Sequence, residues 1–372
     1  MSGIVIIGGG FAGIWSAAAA ARVRGDTDLN ITLVAPNDDL VLRPRLHRLL
    51  PDWSRVPLKR FLEPIGVSHL RAAVTEIDTD AHRVVADDRP LTYERLVVAA
   101  GSRLSRPAIP GSELLFDIDT AEGAARLAGR LHGMSGFRAV VVGSGFTGLE
   151  IATELAERGE VVLIERADTV GPDLGPGPRP VIEAALTALG VEVRLGTTIT
   201  AVDETGARLL DGTRLPAEVV IWTGGMRANL LTAQIPAERD PLGRLPVDRR
   251  LRVQGDVFAA GDVAAAVADG TGRHALQSCQ FATPMGKAAG HNAAADLLGA
   301  PLVDFTPDPY VTCLDLGSAG AVFTAGWDRQ VQLDGKQGKE VKDTILDVIH
   351  PPLDDAEEIL RQAGQQSNGV SG

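Results

Sequence analysis

Six glycines carry the first chemical argument in this chain. Gly8, Gly10 and Gly13 share the spacing G-x-G-x-x-G with Gly143, Gly145 and Gly148 far downstream. Each set follows a β-branched run, Ile4-Val5-Ile6-Ile7 in one case and Ala139-Val140-Val141-Val142 in the other, and each opens a helix-forming segment. A strand, a tight glycine turn and a helix N-terminus together can hold a pyrophosphate, because the helix's first N–H groups and its dipole favour an anion. One such fingerprint is a common accident of βα turns. Two, both in strand-to-helix context, imply two dinucleotides facing each other, which is the arrangement of a flavoprotein that draws electrons from a nicotinamide.

The residues behind the glycines differ between the two copies. Glu165 ends Val161-Val162-Leu163-Ile164, where a carboxylate can accept both ribose hydroxyls and repel a 2′-phosphate. NADH is therefore favoured and NADPH less so, although Arg166 next door is a residue that can welcome that phosphate. In the first copy the strand Ile31-Thr32-Leu33-Val34 runs into Ala35-Pro36-Asn37, without an acid. Asn37 is the substitute available for the ribose there.

The elements that must position these groups read as alternating strands and helices. Residues 1–35 form one strand–helix–strand unit, and Arg138 to Glu165 form another. The stretch from Val41 to Leu70 is irregular and basic, with Pro44, Pro51, Pro57 and Pro64 as breakers. A Pro-rich link at 106–111 precedes a helix starting near Thr120, and a long Ala-rich helix is expected from about Gln277 to Leu298. Residues 307–350 read as β-rich, with Gly335 and Gly338 in a turn, and the acidic stretch from Leu353 is expected to fray. The fold class is α/β: two Rossmann-like dinucleotide-binding domains, the second inserted into the first, plus a small β-rich C-terminal module. The expected boundaries are 1–113 and 251–306 for the first domain, 114–250 for the second and 307–372 for the module.

Bulk composition narrows the function classes. The chain has 372 residues, 45% hydrophobic and 23% charged, with a net charge of −12. That acidity argues against a nucleic-acid surface, which needs clustered Lys and Arg. Two cysteines, Cys279 and Cys313, make neither a disulfide framework nor a C-x-x-C pair. The first strand begins by Ile4 and no apolar run approaches a membrane span, so the plain expectation is a cytoplasmic enzyme.

The order of motifs resembles the pyridine-nucleotide-dependent FAD oxidoreductases with two dinucleotide-binding domains, and within them the type II NADH dehydrogenase branch. The resemblance implies that Gly8, Gly10, Phe11, Ala12 and Gly13 serve the FAD pyrophosphate and that Gly143, Gly145, Gly148 and Glu165 serve NADH. Leu96-Val97-Val98-Ala99-Ala100-Gly101 resembles the family element joining the domains, with Ala100 where threonine is usual and Gly101 after it. Val257-Phe258-Ala259-Ala260-Gly261-Asp262 resembles the element whose aspartate binds the flavin ribityl chain, which places Gly261 and Asp262 on FAD. Gly224 and Gly225, after Ile221-Trp222-Thr223, match the strand end that touches the nicotinamide. Glu150 corresponds to a glutamate near nicotinamide and flavin; read alone, it is equally an acid favoured near a helix N-terminus. Arg43, Pro44, Arg45 and His47 match a segment that lines the flavin ring, and without the resemblance they read as a solvated basic loop.

The acceptor side departs from that family. Its helix motif has two glutamines four apart beside the quinone; here Gln280 keeps the first and Pro284 replaces the second. The acidic residues Asp354, Asp355, Glu357 and Glu358 oppose an amphipathic membrane anchor, so membrane association is disfavoured. The expected acceptor is then a small molecule, a quinone or a soluble quinone-like compound, with a homodimer left open. A ferredoxin or rubredoxin reductase and a flavin-based redox-sensing binding protein remain as alternatives. Cys279 and Cys313 invite comparison with the sulfur-relaying cysteines of sulfide:quinone reductases, but both lie after the second nucleotide domain, the wrong spacing for that family, so they read as buried, inert thiols.

Overall fold

The computed structural model describes residues 3–50 and 52–365; Pro51 and residues 366–372, the end of the tail expected to fray, lie outside them. One layer is a six-stranded sheet in the order Arg252–Gln254, Val257–Ala259, Arg95–Val98, Ile4–Ile7, Ile31–Ala35, Ser68–Arg71. Its neighbours run parallel except the first pair. Every residue of Ile4–Ile7 is buried, so the strand is continuously apolar and does not alternate, as a parallel strand covered on both faces requires. A second, four-stranded parallel sheet runs Glu192–Arg194, Glu160–Ile164, Arg138–Val142, Val219–Trp222. The chain leaves the first sheet after Arg95–Val98, builds the second, and returns at Arg252. Two Rossmann-like α/β sheets are thus interleaved, in line with the motif order.

Both fingerprints open helices, Phe11–Arg24 and Phe146–Ala156. The long helix Cys279–Leu298 lies against the first of these so closely that only glycine fits at the seam. A Cβ at Gly286 would come 2.3 Å from the Ala12 carbonyl oxygen, and one at Gly290 would come 2.0 Å from that of Ser16. Ser16 Oγ donates to the Gly286 carbonyl across the same seam (3.1 Å). This contact fixes the segment carrying Gly261 and Asp262 over the first fingerprint.

The C-terminal region differs from the expectation in two places. Strands Val311–Asp315, Ala321–Ala325 and Gln330–Leu333 form an antiparallel sheet, but Gly335–Val348 is a helix and not a turn. Gly335 has φ +52°, which starts the helix sharply after Asp334, and Gly338 is a point of close approach, its missing Cβ 2.2 Å from the Ala321 carbonyl oxygen. The acidic stretch also forms a helix, Ala356–Ala363. Asp355 caps it by accepting from Glu358 N (3.0 Å), Glu357 and Glu358 sit in the first turn where the dipole favours them, and Ile359 is buried in the first-sheet core.

Candidate active site

The two fingerprint turns are built alike. Gly8 and Gly143 have φ of +115° and +107°, a region that admits glycine without strain. Gly13 and Gly148 allow each helix to sit on its own turn: a Cβ would come 1.8 Å from Gly8 O and 1.9 Å from Gly143 O. The middle glycines differ in kind. Gly10 and Gly145 are the helix N-caps, no side chain caps either helix, and a Cβ at either would meet nothing within 4 Å. Each turn therefore presents unpartnered first-turn N–H groups to an open cradle that even a methyl group would begin to fill. That is the shape and polarity a dinucleotide pyrophosphate fits. Phe11 and Ala12 begin the first helix, and Ala12 packs beneath Gly261. Asn37 is exposed just past the end of Ile31–Ala35.

Glu165 is held by the turn it follows. Ser144 donates to Glu165 Oε2 from both its N–H (2.9 Å) and its Oγ (2.7 Å), and Ala167 N donates to Oε1 (2.9 Å). Ser144 Oγ in turn accepts from Gly171 N (2.9 Å), and the residue is wholly buried. Burial by itself raises the Glu165 carboxyl, but these donations outweigh it and leave it below the usual range, so it stays ionised. Ser144 was not singled out in the sequence, because the second position of a fingerprint accepts many residue types.

A charged knot joins the first fingerprint region to residues beyond the link. Asp262 Oδ2 accepts from Ser102 Oγ (2.6 Å), Arg43 Nη1 donates to the same hydroxyl (3.0 Å), and Arg43 Nη2 pairs with Asp119. Asp119 lies deep enough that burial raises its carboxyl, partly opposed by Arg43. Gly101 (φ +68°) and Ala100 meet Asn229, whose N–H donates to the Gly101 carbonyl (2.9 Å). Gly225 (φ +85°) passes close to Ser105, and Gly224 lies beside Trp222, whose Nε1 donates to the Ser105 carbonyl (3.0 Å).

Arg43, His47, Thr147, Glu150, Trp222, Thr223 and Met226 line one cleft, along with Leu104, Ile118 and Asp119. Behind Glu150 stands a cation that sequence reading missed. Lys342 Nζ, from the C-terminal helix, lies 2.6 Å from Glu150 Oε1 and is itself almost completely buried. Burial lowers a lysine, yet the Glu150 charge and hydrogen bond reverse this and raise Lys342. On the other side, His47 lies between Glu150 and Asp315, another group not anticipated. No sequence signal marks Lys342 or Asp315 within their mixed-charge segments.

The remaining expected residues take other places. Arg45 is buried and spends its guanidinium on the carbonyls of Leu346 (2.7 Å from Nε) and Trp53 (2.7 Å from Nη1), tying the basic segment to the C-terminal helix. Gln280 Nε2 donates to the Pro309 carbonyl (3.0 Å) at the start of the long helix. The Cys279 thiol is pushed up by burial, and that of Cys313 to about 12, so neither is primed as a nucleophile. Among the described residues no cluster of His, Cys, Asp or Glu could hold a metal ion.

Comparison with known proteins identifies the family. The model of the pyridine nucleotide-disulphide oxidoreductase family matches residues 2–286. A NADH dehydrogenase-like protein from Mycobacterium tuberculosis is 44% identical, over 95% of each chain. A demethylphylloquinone reductase from Synechocystis is 30% identical, over 86% of each. The solved sulfide:quinone oxidoreductase of Aquifex aeolicus superposes with a TM-score of 0.76 over 93% of this chain and 90% of its own; at 20% identity this is likeness of fold alone. The chain belongs to the pyridine nucleotide-disulphide oxidoreductase family, as an NAD(P)H-dependent flavin enzyme of the NADH dehydrogenase-like kind.

Proposed function

We propose that the protein takes a hydride from NADH and delivers two electrons to a quinone or a soluble quinone-like small molecule. One observation carries the reading: Glu150 and Thr223, from the second fingerprint region, share a cleft with Arg43, which is tied through Ser102 to Asp262. Nicotinamide-side and flavin-side residues therefore meet in one space. Bound FAD supplies a two-electron carrier that accepts hydride and gives electrons onward.

The chain's own groups bind and orient. The first-turn N–H groups after Gly10 and Gly145 hold the two pyrophosphates, and Asp262 accepts a ribityl hydroxyl. Glu165, ionised and fixed by Ser144 and Ala167, accepts the adenosine ribose hydroxyls and disfavours a 2′-phosphate, which supports NADH over NADPH despite exposed Arg166. Arg43 keeps positive charge beside the cleft, where it stabilises anionic character during transfer. The quinone class is supported by the name of the Synechocystis relative. No described helix is long and apolar enough to cross a membrane. A protein acceptor of ferredoxin type is less favoured by the net charge of −12, which offers little basic docking surface.

The test is anaerobic stopped-flow spectroscopy. Purified protein is yellow, NADH bleaches it rapidly, and menadione restores the colour. Colourless protein that cannot be reconstituted with FAD defeats the reading. A long-lived bleached complex that ignores menadione, other quinones and dyes instead supports a redox-sensing binding protein.

A further inference from the structure

Asp315, His47 and Glu150 form a line that ends at the cleft. His47 Nδ1 lies 3.6 Å from Glu150 Oε2, and His47 Nε2 lies 3.1 Å from Asp315 Oδ2. Nε2 has a second neighbour, Arg48 Nε at 3.2 Å, which can only donate. One ring nitrogen thus meets an acceptor and a donor at once. A doubly protonated ring is served by Asp315, and a neutral ring with its proton on Nδ1 is served by Arg48. The imidazole has a partner in either charge state without turning.

The groups around the ring hold its two carboxylates in place. Lys342 occupies Glu150 Oε1 and Lys339 occupies Asp315 Oδ1, which leaves Oε2 to face the imidazole, while Oδ2 is shared between the imidazole and Arg48 Nη2 (2.6 Å). Glu154, on the same helix as Glu150, feels the charge of Arg48 and His47, and Asp343 pairs with Arg48 at the outer end. Arg48 and Lys339 are each 22% exposed and Asp343 is 52% exposed, so the line opens to solvent there. Asp315 does not carry the proton. Burial raises its carboxyl, but bonds from His47 and Lys339 overcome that and hold it well below the usual range.

The geometry points to His47 as the proton relay of this cleft, drawing protons from the solvent rim at Arg48 and passing them through Glu150 to a two-electron acceptor. Asp315 is a positioning residue that fixes the ring. The inference rests on the quinone-type reading above. The balance requires it: NADH, a quinone and one proton give NAD⁺ and a hydroquinone. Hydride supplies two electrons and one proton, and the second proton must come from the protein or solvent. The step breaks the Nδ1–H bond of the doubly protonated His47 ring, leaving a neutral ring whose remaining proton on Nε2 faces Asp315, and forms an O–H bond on Glu150, whose proton then passes to the quinone oxygen; a solvent proton afterwards restores the doubly protonated ring. A ferricyanide acceptor takes electrons only and needs no such proton.

The experiment compares menadione with ferricyanide in wild type, His47→Gln and Glu150→Gln. The menadione-to-ferricyanide rate ratio falls at least tenfold in both variants, since general acid–base catalysis contributes roughly 10²–10⁴-fold. A ratio equal to wild type overturns the relay, because a merely structural role slows both acceptors alike. Nitrogen NMR of histidine-labelled protein, without NADH, gives a readout independent of turnover and of folding in the His47 variant. The His47 Nδ1 resonance shifts in Glu150→Gln, and an unchanged resonance disconnects the two groups and overturns the proposal. Absence of NADH oxidation with either acceptor defeats the flavoenzyme reading instead, and the NMR comparison still decides on the relay.

Discussion

Lys342 Nζ sits 2.6 Å from Glu150 Oε1, joining the C-terminal helix to the second fingerprint helix beneath the cleft. Both side chains are buried, so each charge depends on the other. Lys342→Met takes the lysine cation away from the buried Glu150 carboxylate, and destabilises by roughly 3–5 kcal/mol. The double variant Glu150→Gln/Lys342→Met recovers most of that loss, because no bare charge remains. Lys342 is raised by its partner, so the pair's contribution is complete below the ordinary lysine value and is lost as pH rises through the raised one. Urea midpoints of the four proteins in a double-mutant cycle check this; additive losses disprove the coupling.

The middle glycines of the fingerprints test the assignment of one cofactor to each turn. Gly10 and Gly145 have ordinary φ of −84° and −72°, and a Cβ at either meets no neighbour within 4 Å. Gly10→Val therefore leaves the fold intact and abolishes FAD retention, whereas Gly145→Val keeps the yellow colour and raises the NADH Michaelis constant at least tenfold. Gly13→Ala behaves differently, because its Cβ collides with Gly8 O and lowers the melting temperature. Absorbance at the flavin band, circular dichroism and NADH titration distinguish the three. Equal loss of FAD in both valine variants refutes the assignment of one turn to each dinucleotide.

Glu165 and Ser144 form one hydrogen-bonded unit at the second fingerprint turn. Hydrogen bonds to a charged group contribute about 1.5–3 kcal/mol. Glu165→Ala accordingly raises the Michaelis constant for NADH by roughly 10- to 100-fold and narrows the NADH-to-NADPH preference. Ser144→Ala removes only the Oγ donation and has a smaller effect in the same direction. Glu165 lies below the usual carboxylate range, so NADH affinity stays flat as pH falls through the mildly acidic range. A preference ratio unaltered in Glu165→Ala removes this residue from nucleotide selection.

These sites were unequally legible in the amino-acid order. Glu165 could be found because one helix and one strand separate it from its glycines, and the end of that strand is a fixed place relative to a βα turn. Its partner Ser144 was hidden, since nothing local says that a hydroxyl there will turn back to that strand. Lys342 is 192 positions from Glu150, and only the docking of the C-terminal helix brings them together. That helix was itself misread, because Gly335 and Gly338 suggest a turn until the Ala321 backbone is seen to demand a bare Cα at 338. The helix Ala356–Ala363 was missed for a related reason: one buried isoleucine and a cap give too short a periodic signal to outweigh an acidic composition.

Lys287 supplies a test that involves no reacting group. It is buried in the long helix, with its ammonium 4.6 Å from the Trp15 ring centroid, and burial pushes it down to about 8 against the opposing pull of Asp308. The folded state thus binds this proton less tightly than the unfolded chain. Between about 8 and the ordinary lysine value, the unfolded chain holds more protons, so stability rises with pH across that window. Below it the penalty is constant, at most about 3 kcal/mol at 1.36 kcal/mol per unit, and is reduced by the cation–π contact, worth ~0.5–2 kcal/mol. The stability difference between Lys287→Met and wild type therefore moves in favour of the variant by about 1–3 kcal/mol on going from about pH 10 to about pH 7. Urea denaturation of wild type and variant at the two pH values measures it directly. A difference that is the same at both shows that Lys287 keeps an ordinary affinity for its proton inside the fold.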